Sequence, residues 1–289
     1  MVTLVIDGNC IAHRARHATG GLSDGDVATG VIFGFLSQLL HVAKIFKSND
    51  IRIIWDSIAS KRRKMFSGYK RLRYDKSKMS EEQINEIRIM REQVMLLRSE
   101  VLPTIGFQNN YIQYGYEGDD IIAKIVLRQR GEFVIVASDH DLYQLLQGNT
   151  RIWDPMKNRM ITCKSFTENY RIPVNKWAVM KSIAGCKSDA VPGVSGVGEA
   201  TAIKYIQGVL PSKYVTYRRI VQSSDIIERN AALVTLPLAG TKMPEVEENT
   251  FNREGLVEVA KEYGMHSFLR MDRMREWLEF FEYREEPFR

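Results

Sequence analysis

No apolar run in this 289-residue chain reaches the roughly 18 residues of a membrane-spanning helix. The segment from Met1 to Asp7 carries no basic region and meets an acid at once, so a secretory leader is not expected. Cysteine is scarce. Cys10, Cys163 and Cys186 are odd in number and scattered, which excludes a disulfide framework and a CxxC zinc pattern and makes a reducing cytoplasm the expected setting. No GxGxxG follows the first strand-like stretch, which disfavours a dinucleotide fold, and no GxSxG elbow announces a serine nucleophile. Gly193 and Gly198 have the GxxxxG spacing of a phosphate loop, but Glu199 and Ala200 stand where that loop needs Lys and Ser or Thr.

What the chain does have is acid at the ends of strands. Thr3–Ile6 runs into Asp7, and Ile51–Trp55 into Asp56. Tyr111–Tyr114 leads to Glu117, Asp119 and Asp120, and Phe133–Ser138 to Asp139 and Asp141. Short runs rich in Val and Ile read as buried strands of a parallel sheet, whose carboxyl ends share one edge where ligands bind. That edge would gather these seven carboxylates. Two like charges about 4 Å apart repel by roughly 4 kcal/mol at an effective dielectric near 20, so the cluster calls for hard divalent cations.

Net charge is +6, unevenly spread. Nine basic residues lie between Lys61 and Lys78 against the single acid Asp75, so this window carries +8 and the rest of the chain −2. A basic block interleaved with Phe66, Tyr69 and Tyr74 reads either as a solvated face or as a polyanion contact; with an acidic edge elsewhere, nucleic acid is the favoured partner.

Residues 1–165 alternate strands and helices, an α/β pattern with a mostly parallel central sheet. A helix is expected over Val27–Phe46. Another starts after Ser80, with Gln83 completing a capping box and Ile84, Ile87, Val94, Leu97 and Val101 marking its apolar face; Pro103 and Gly106 lie where it should end. The insertion 57–103 separates two sheet strands and should project over the acidic edge as a gateway. Arg151–Cys163 reads as a strand pair. From 166 to 289 helical patterns dominate, with Asp272–Phe281 amphipathic and Tyr283–Arg289 a frayed tail.

Taken singly, the motifs are ambiguous. Asp7-Gly8-Asn9 reads as a turn; helix capping explains two of the three acids of 117–120, and 138–141 again sets paired acids where a strand becomes a helix. His140 reads as a surface histidine. The glycines of 192–198 suit a hairpin between two helices whose N–H groups grip a phosphodiester.

Together they resemble the 5′-nuclease superfamily: flap endonucleases, the 5′-nuclease domain of bacterial DNA polymerase I and stand-alone phage 5′-exonucleases. The resemblance rests on Asp7-Gly8-Asn9, Trp55-Asp56, Tyr69-Lys70-Arg71-Leu72-Arg73 with Arg63 upstream, Glu117-Gly118-Asp119-Asp120, Ser138–Asp141, Ser188–Ala202 and Arg229–Pro237. It implies a PIN-like core with a helical gateway insertion, and a helix-hairpin-helix over 180–206. It implies two magnesium ions, with manganese as a substitute, held by Asp7, Asp56, Glu117, Asp119, Asp120, Asp139, Asp141 and Asp189. It places Lys70 and Arg73 as catalytic groups at the scissile phosphate, and Arg63, Tyr69, Gly193, Gly196 and Gly198 on DNA, with Tyr69 stacking on a base and potassium at the hairpin. The implied protein is a cytoplasmic monomer, phage-type in form. It acts on branched, flapped or nicked DNA, and on RNA primers in RNA–DNA hybrids, in replication or repair. Cys186 departs from the pattern by standing where the family carries an acid of the second metal site, and a thiol is a poor magnesium ligand. A PIN-type single-strand ribonuclease, or a structure-specific DNA-binding protein with weakened cleavage, are the alternative readings.

Overall fold

The computed structural model describes residues 2–71 and 79–281. The chain opens with β1 (Val2–Asp7), α1 (Gly8–Thr19), a small hairpin of β2 (Ser23–Asp24) and β3 (Val27–Ala28), α2 (Gly30–Phe46) and β4 (Ile51–Trp55). Next come the short α3 (Ser60–Met65) and α4 (Glu81–Leu96), which passes through a π-helical turn at Leu97–Val101 into α5 (Leu102–Ile105). β5 (Asn110–Ile112), α6 (Gly118–Arg128), β6 (Glu132–Val136), β7 (Thr150–Asp154) and β8 (Arg159–Ile161) complete the sheet region. The remainder is largely helical: α7 (Cys163–Tyr170), α8 (Trp177–Ala184), the two-residue β9 (Gly185–Cys186) and β10 (Val191–Pro192), α9 (Glu199–Ile206), α10 (Val215–Gln222), α11 (Ser224–Val234), α12 (Arg253–Glu262) and α13 (Met271–Phe281).

The six-stranded sheet has the order β5-β4-β1-β6-β7-β8, parallel except for the β7–β8 hairpin. Its period-2 pattern divides the core. Leu4, Ile6, Ile53, Trp55, Val134 and Val136 face one layer, built on α1, α2 and α5. Val5, Ile54, Phe133 and Ile135 face the other, built on α6 and α8. This is why strands so short are apolar on both faces.

α2 begins at Gly30 rather than near Val27, because Val27 pairs with Asp24 in the small hairpin. Its N-terminus is capped in trans: the buried Gln93 side chain of α4 accepts from the N–H groups of Val31 (2.9 Å) and Ile32 (3.2 Å). The capping box at Ser80 and Gln83 is present. The buried positions of this helical stretch are Met90, Gln93, Leu97 and Val101, while Ile84, Ile87 and Val94 are only half-buried. Pro103 does not end it, since the residue falls in the first turn of α5 where its missing N–H is not needed; Gly106, at φ +100°, does. The chain from Arg253 onward packs back on the first half, α12 against α5 and α13 against α2, with Trp277 and Phe268 in the same core as Phe35 and Trp55. Residues 283–289 lie outside the described residues.

Candidate active site

The parallel register brings the carboxyl ends of β1, β4 and β6 side by side. Asp7 ends β1, and its side chain caps α1 by accepting from Cys10 N–H at 2.9 Å. Gly8 lies so close to Trp55 that a Cβ would sit 2.7 Å from the ring, and Asn9 Oδ1 accepts the N–H of Asp56 at 2.9 Å. Asp7-Gly8-Asn9 is therefore not a turn: it supplies an acid, a close packing point and a clamp on the next acid. Asp56 Oδ1 in turn accepts the N–H of Gly118 (2.7 Å), locking β4 to the start of α6, and Asp139 Oδ1 accepts the N–H of Asp141 (2.8 Å).

Asp7, Asp56, Glu117, Asp119 and Asp139 line one cavity of about 1030 Å³. Burial, then the charge of Asp56, pushes the Asp7 carboxyl up to about 7. Burial, then Asp139, Asp56 and Asp7, raises Asp119 well above the carboxylate range. These acids repel one another, and among the described residues Asp7, Asp119 and Asp139 form no ion pair with lysine or arginine. An all-oxygen donor set under such strain fits a hard divalent cation.

The other acids are met by side-chain cations. Asp120 is fully buried, and both its oxygens accept from Arg62 (Nη1 2.5 Å, Nη2 2.7 Å); one oxygen also takes the N–H of Leu238 (2.8 Å). The expectation that Asp120 is a metal ligand is corrected: its oxygens are turned into the protein, toward a guanidinium. Glu117 lies against Lys70, 3.1 Å from Arg62, and accepts from the Tyr69 hydroxyl at 2.7 Å. Burial alone would raise its carboxyl, but Lys70 and then Arg62 hold it below its ordinary value. Asp189 accepts from Tyr69 at 3.1 Å, lies 3.7 Å from Lys70, and is raised by burial. Asp141 pairs with Lys181 at 3.3 Å; burial, then Asp139, pushes it up to about 6.

Tyr69 is corrected as well. At 3% exposure, with its hydroxyl bonded to two acids, it is a core residue of the site and has no free face for a base. Lys70 adopts φ +51°, its ammonium lies against Glu117, and it lines the cavity. Described residues of the insertion line the same cavity: Ser60 and exposed Arg63 from α3, and Met90, Arg91 and Arg98 farther along. Arg73 lies outside the described residues. His140 stacks on Tyr143 (centroids 4.8 Å apart), and burial, then Lys157, lowers its pKa.

The glycine segment joins α8 to α9. A Cβ on Gly193 would fall 2.2 Å from the Ala184 carbonyl carbon, so the loop folds directly onto the end of α8. Gly196 has φ +74° beside Arg219, which donates to Ser195 O at 3.1 Å. Gly198 begins α9, and a Cβ there would meet nothing within 4 Å. The sequence reading missed Arg62, Gln93, Arg98 and Lys181. Arg62 was indistinguishable within the basic block, and Lys181 lay on a helix with no adjacent motif.

Residues 2–171 match the family model described as the 5′-3′ exonuclease N-terminal resolvase-like domain. DNA polymerase I of Deinococcus radiodurans is 32% identical over 221 residues, 73% of this chain and 21% of that protein, so the chain spans about a fifth of that relative's length. A 5′-3′ exonuclease of Aquifex aeolicus is 27% identical over 230 residues, covering 78% of this chain and 74% of that one. A bacteriophage T5 flap endonuclease, described as a pseudo-enzyme–product complex with DNA and metal ions, shares the fold at TM-score 0.68 and 17% identity, over 96% of this chain and 99% of that one. With more than half of its length matched by the family model, the chain belongs to the 5′-3′ exonuclease family through the N-terminal resolvase-like domain.

Proposed function

We propose that this protein is a metal-dependent 5′-nuclease, an exonuclease and flap endonuclease acting near the 5′ ends of flapped, branched or nicked DNA and on RNA primers in RNA–DNA hybrids. One observation carries the reading: Asp7, Asp56, Asp119 and Asp139 converge at the sheet edge in a cavity walled by Arg63, Arg91 and Arg98. The acids suit a divalent ion and the arginines suit a phosphodiester backbone.

In the reaction, water oxygen bonds to phosphorus as the P–O3′ bond breaks. One water proton ends on the departing 3′ oxygen and the other is released, leaving a 5′-phosphate and a 3′-hydroxyl. Magnesium, or manganese in its place, would be held by Asp7, Asp56, Asp119 and Asp139, and when bound it supplies Lewis acidity to the phosphate and lowers the pKa of attacking water. Asn9 and the N–H of Gly118 fix Asp56 for that task. Lys70 stands at the cavity wall to stabilise charge developing on the phosphoryl oxygens, and Arg63 orients the incoming strand. Arg73, outside the described residues, is assigned the same task as Lys70 on the strength of the sequence motif alone. The open face at Gly198, with the free N–H groups that begin α9, suits the backbone of duplex behind the cut, with Gly193 and Gly196 shaping that loop and potassium its companion ion. Such contacts recognise structure rather than sequence, and the chain works as a cytoplasmic monomer.

The test is Asp139→Asn on a 5′-labelled flap duplex with magnesium. Cleavage should fall by at least about a thousandfold while flap binding persists. Undiminished turnover would remove the metal assignment.

A further inference from the structure

The acids of the site fall into two groups, and the second is closely engaged by neighbouring side chains. In that second group, oxygens of Asp141 and Asp189 and Sγ of Cys186 lie within 4.8 Å of one another, the spacing of a metal trio. Its donors are already engaged. Cys186 Sγ donates to Asp141 Oδ2 at 3.8 Å and lies 3.0 Å from Ser188 Oγ. The other oxygen, Asp141 Oδ1, is 3.3 Å from the Lys181 ammonium. Asp189 is met by Tyr69 on one oxygen and Lys70 on the other.

Lys181 is not a surface lysine that happens to lean inward. It projects from α8, is only 9% exposed, and is held from three sides: by Asp141, by Glu199 Oε1 at 3.3 Å, and by the ring of Trp177, whose centroid is 5.5 Å away. Trp177 is itself fixed, because its indole N–H donates to His140 O at 2.7 Å in the same acidic turn. A hard divalent ion at this trio would have to accept a thiol as ligand and displace an ammonium anchored by three partners. By contrast, Asp7, Asp119 and Asp139 line the neighbouring cavity with no lysine or arginine in ion-pair contact among the described residues, and the charge of Lys70 only partly offsets the repulsion at Asp119.

We propose that the Lys181 ammonium takes the place of the second divalent ion, so that this chain binds one divalent ion per active site, between Asp7, Asp56, Asp119 and Asp139. Cys186 and Lys181 form one device: the thiol removes a hard ligand and the lysine supplies a fixed positive charge. The proposal rests on the metal-dependent reading above and deepens it.

The experiment counts manganese by electron paramagnetic resonance of the free ion during titration of the full chain, alone and on a flap duplex with a phosphorothioate at the scissile position. One Mn²⁺ per chain in both states is expected, and two in the Lys181→Met, Cys186→Asp double variant. Two ions on the parent chain would overturn the proposal, as would one ion on a folded double variant. No tight Mn²⁺ on the parent would sink the metal-dependent reading itself, and this inference with it. A second readout needs no variant. The single-turnover cleavage rate should rise in first order with free magnesium at low concentration, and a second-order rise refutes a single site.

Discussion

Replacing Asp120 by Asn separates a structural acid from a metal ligand. Asp120 and Arg62 are 0% and 2% exposed and share two hydrogen bonds, at 2.5 and 2.7 Å. Arg62 also donates to Leu233 O at 2.8 Å and approaches Glu117, while Asp120 accepts from Leu238 N–H. This one pair thus joins the base of the insertion, the start of α6, and the chain leaving α11. Removing one charge of a buried pair leaves the other uncompensated and costs about 3–5 kcal/mol. At about 2 °C per kcal/mol for a chain of this size, Tm should fall by about 6–10 °C. Differential scanning calorimetry in chelator and in magnesium is the assay. A structural acid predicts the same drop in both, and a magnesium affinity in the folded variant within about threefold of the parent's, since Asp120 oxygens do not reach the cavity. An Arg62→Met, Asp120→Leu double variant should recover part of the loss, because no orphan charge remains. An unchanged Tm in chelator together with a large loss of magnesium affinity would refute the reasoning and return Asp120 to the ligands.

Two further outcomes follow from the same electrostatics. Asp7 and Asp141 are raised to about 7 and about 6, so between about pH 4 and 7 the folded chain keeps protons that the unfolded chain has released. Metal-free stability should therefore fall as pH rises through that window, and magnesium should raise Tm more at pH 8 than at pH 5; thermal scans showing an equal rise at both would count against the mutual repulsion of these acids. Tyr69→Phe should lower Tm by an amount equivalent to about 1–3 kcal/mol, because the oxygens of Glu117 and Asp189 lose a buried donor. An unchanged Tm with weakened flap binding would instead restore Tyr69 as a stacking residue.

The strands and the acidic edge were legible because both are local patterns. Val and Ile in short runs mark doubly covered strands, and an acid directly after such a run must lie at the sheet's carboxyl edge once the strands are parallel. Asp7, Asp56 and Asp139 could be placed this way without knowing any contact. Direction within the edge could not. Asp119 and Asp120 are adjacent on α6, yet successive helical side chains diverge by about 100°, so one lines the cavity and the other turns inward to Arg62. Which of the two turns is decided by an arginine 58 positions earlier, one of four consecutive basic residues that sequence alone cannot rank.

The same limit explains Tyr69 and Lys181. An aromatic among lysines and arginines has the composition of a nucleic-acid contact, and only the fold shows that its hydroxyl is claimed by Glu117 and Asp189. Lys181 carries no motif, because its partners, Asp141 and Glu199, lie on different elements 40 positions before it and 18 after. Ligand types and their sheet edge follow from short-range pattern, whereas charge balance follows from long-range pairing. Cys186 is where the two meet. Read alone, it weakens a metal site by subtraction. Beside Lys181, it belongs to a cluster in which a neutral thiol and an ammonium both meet Asp141, and on the proposal above these two together stand in for one divalent ion.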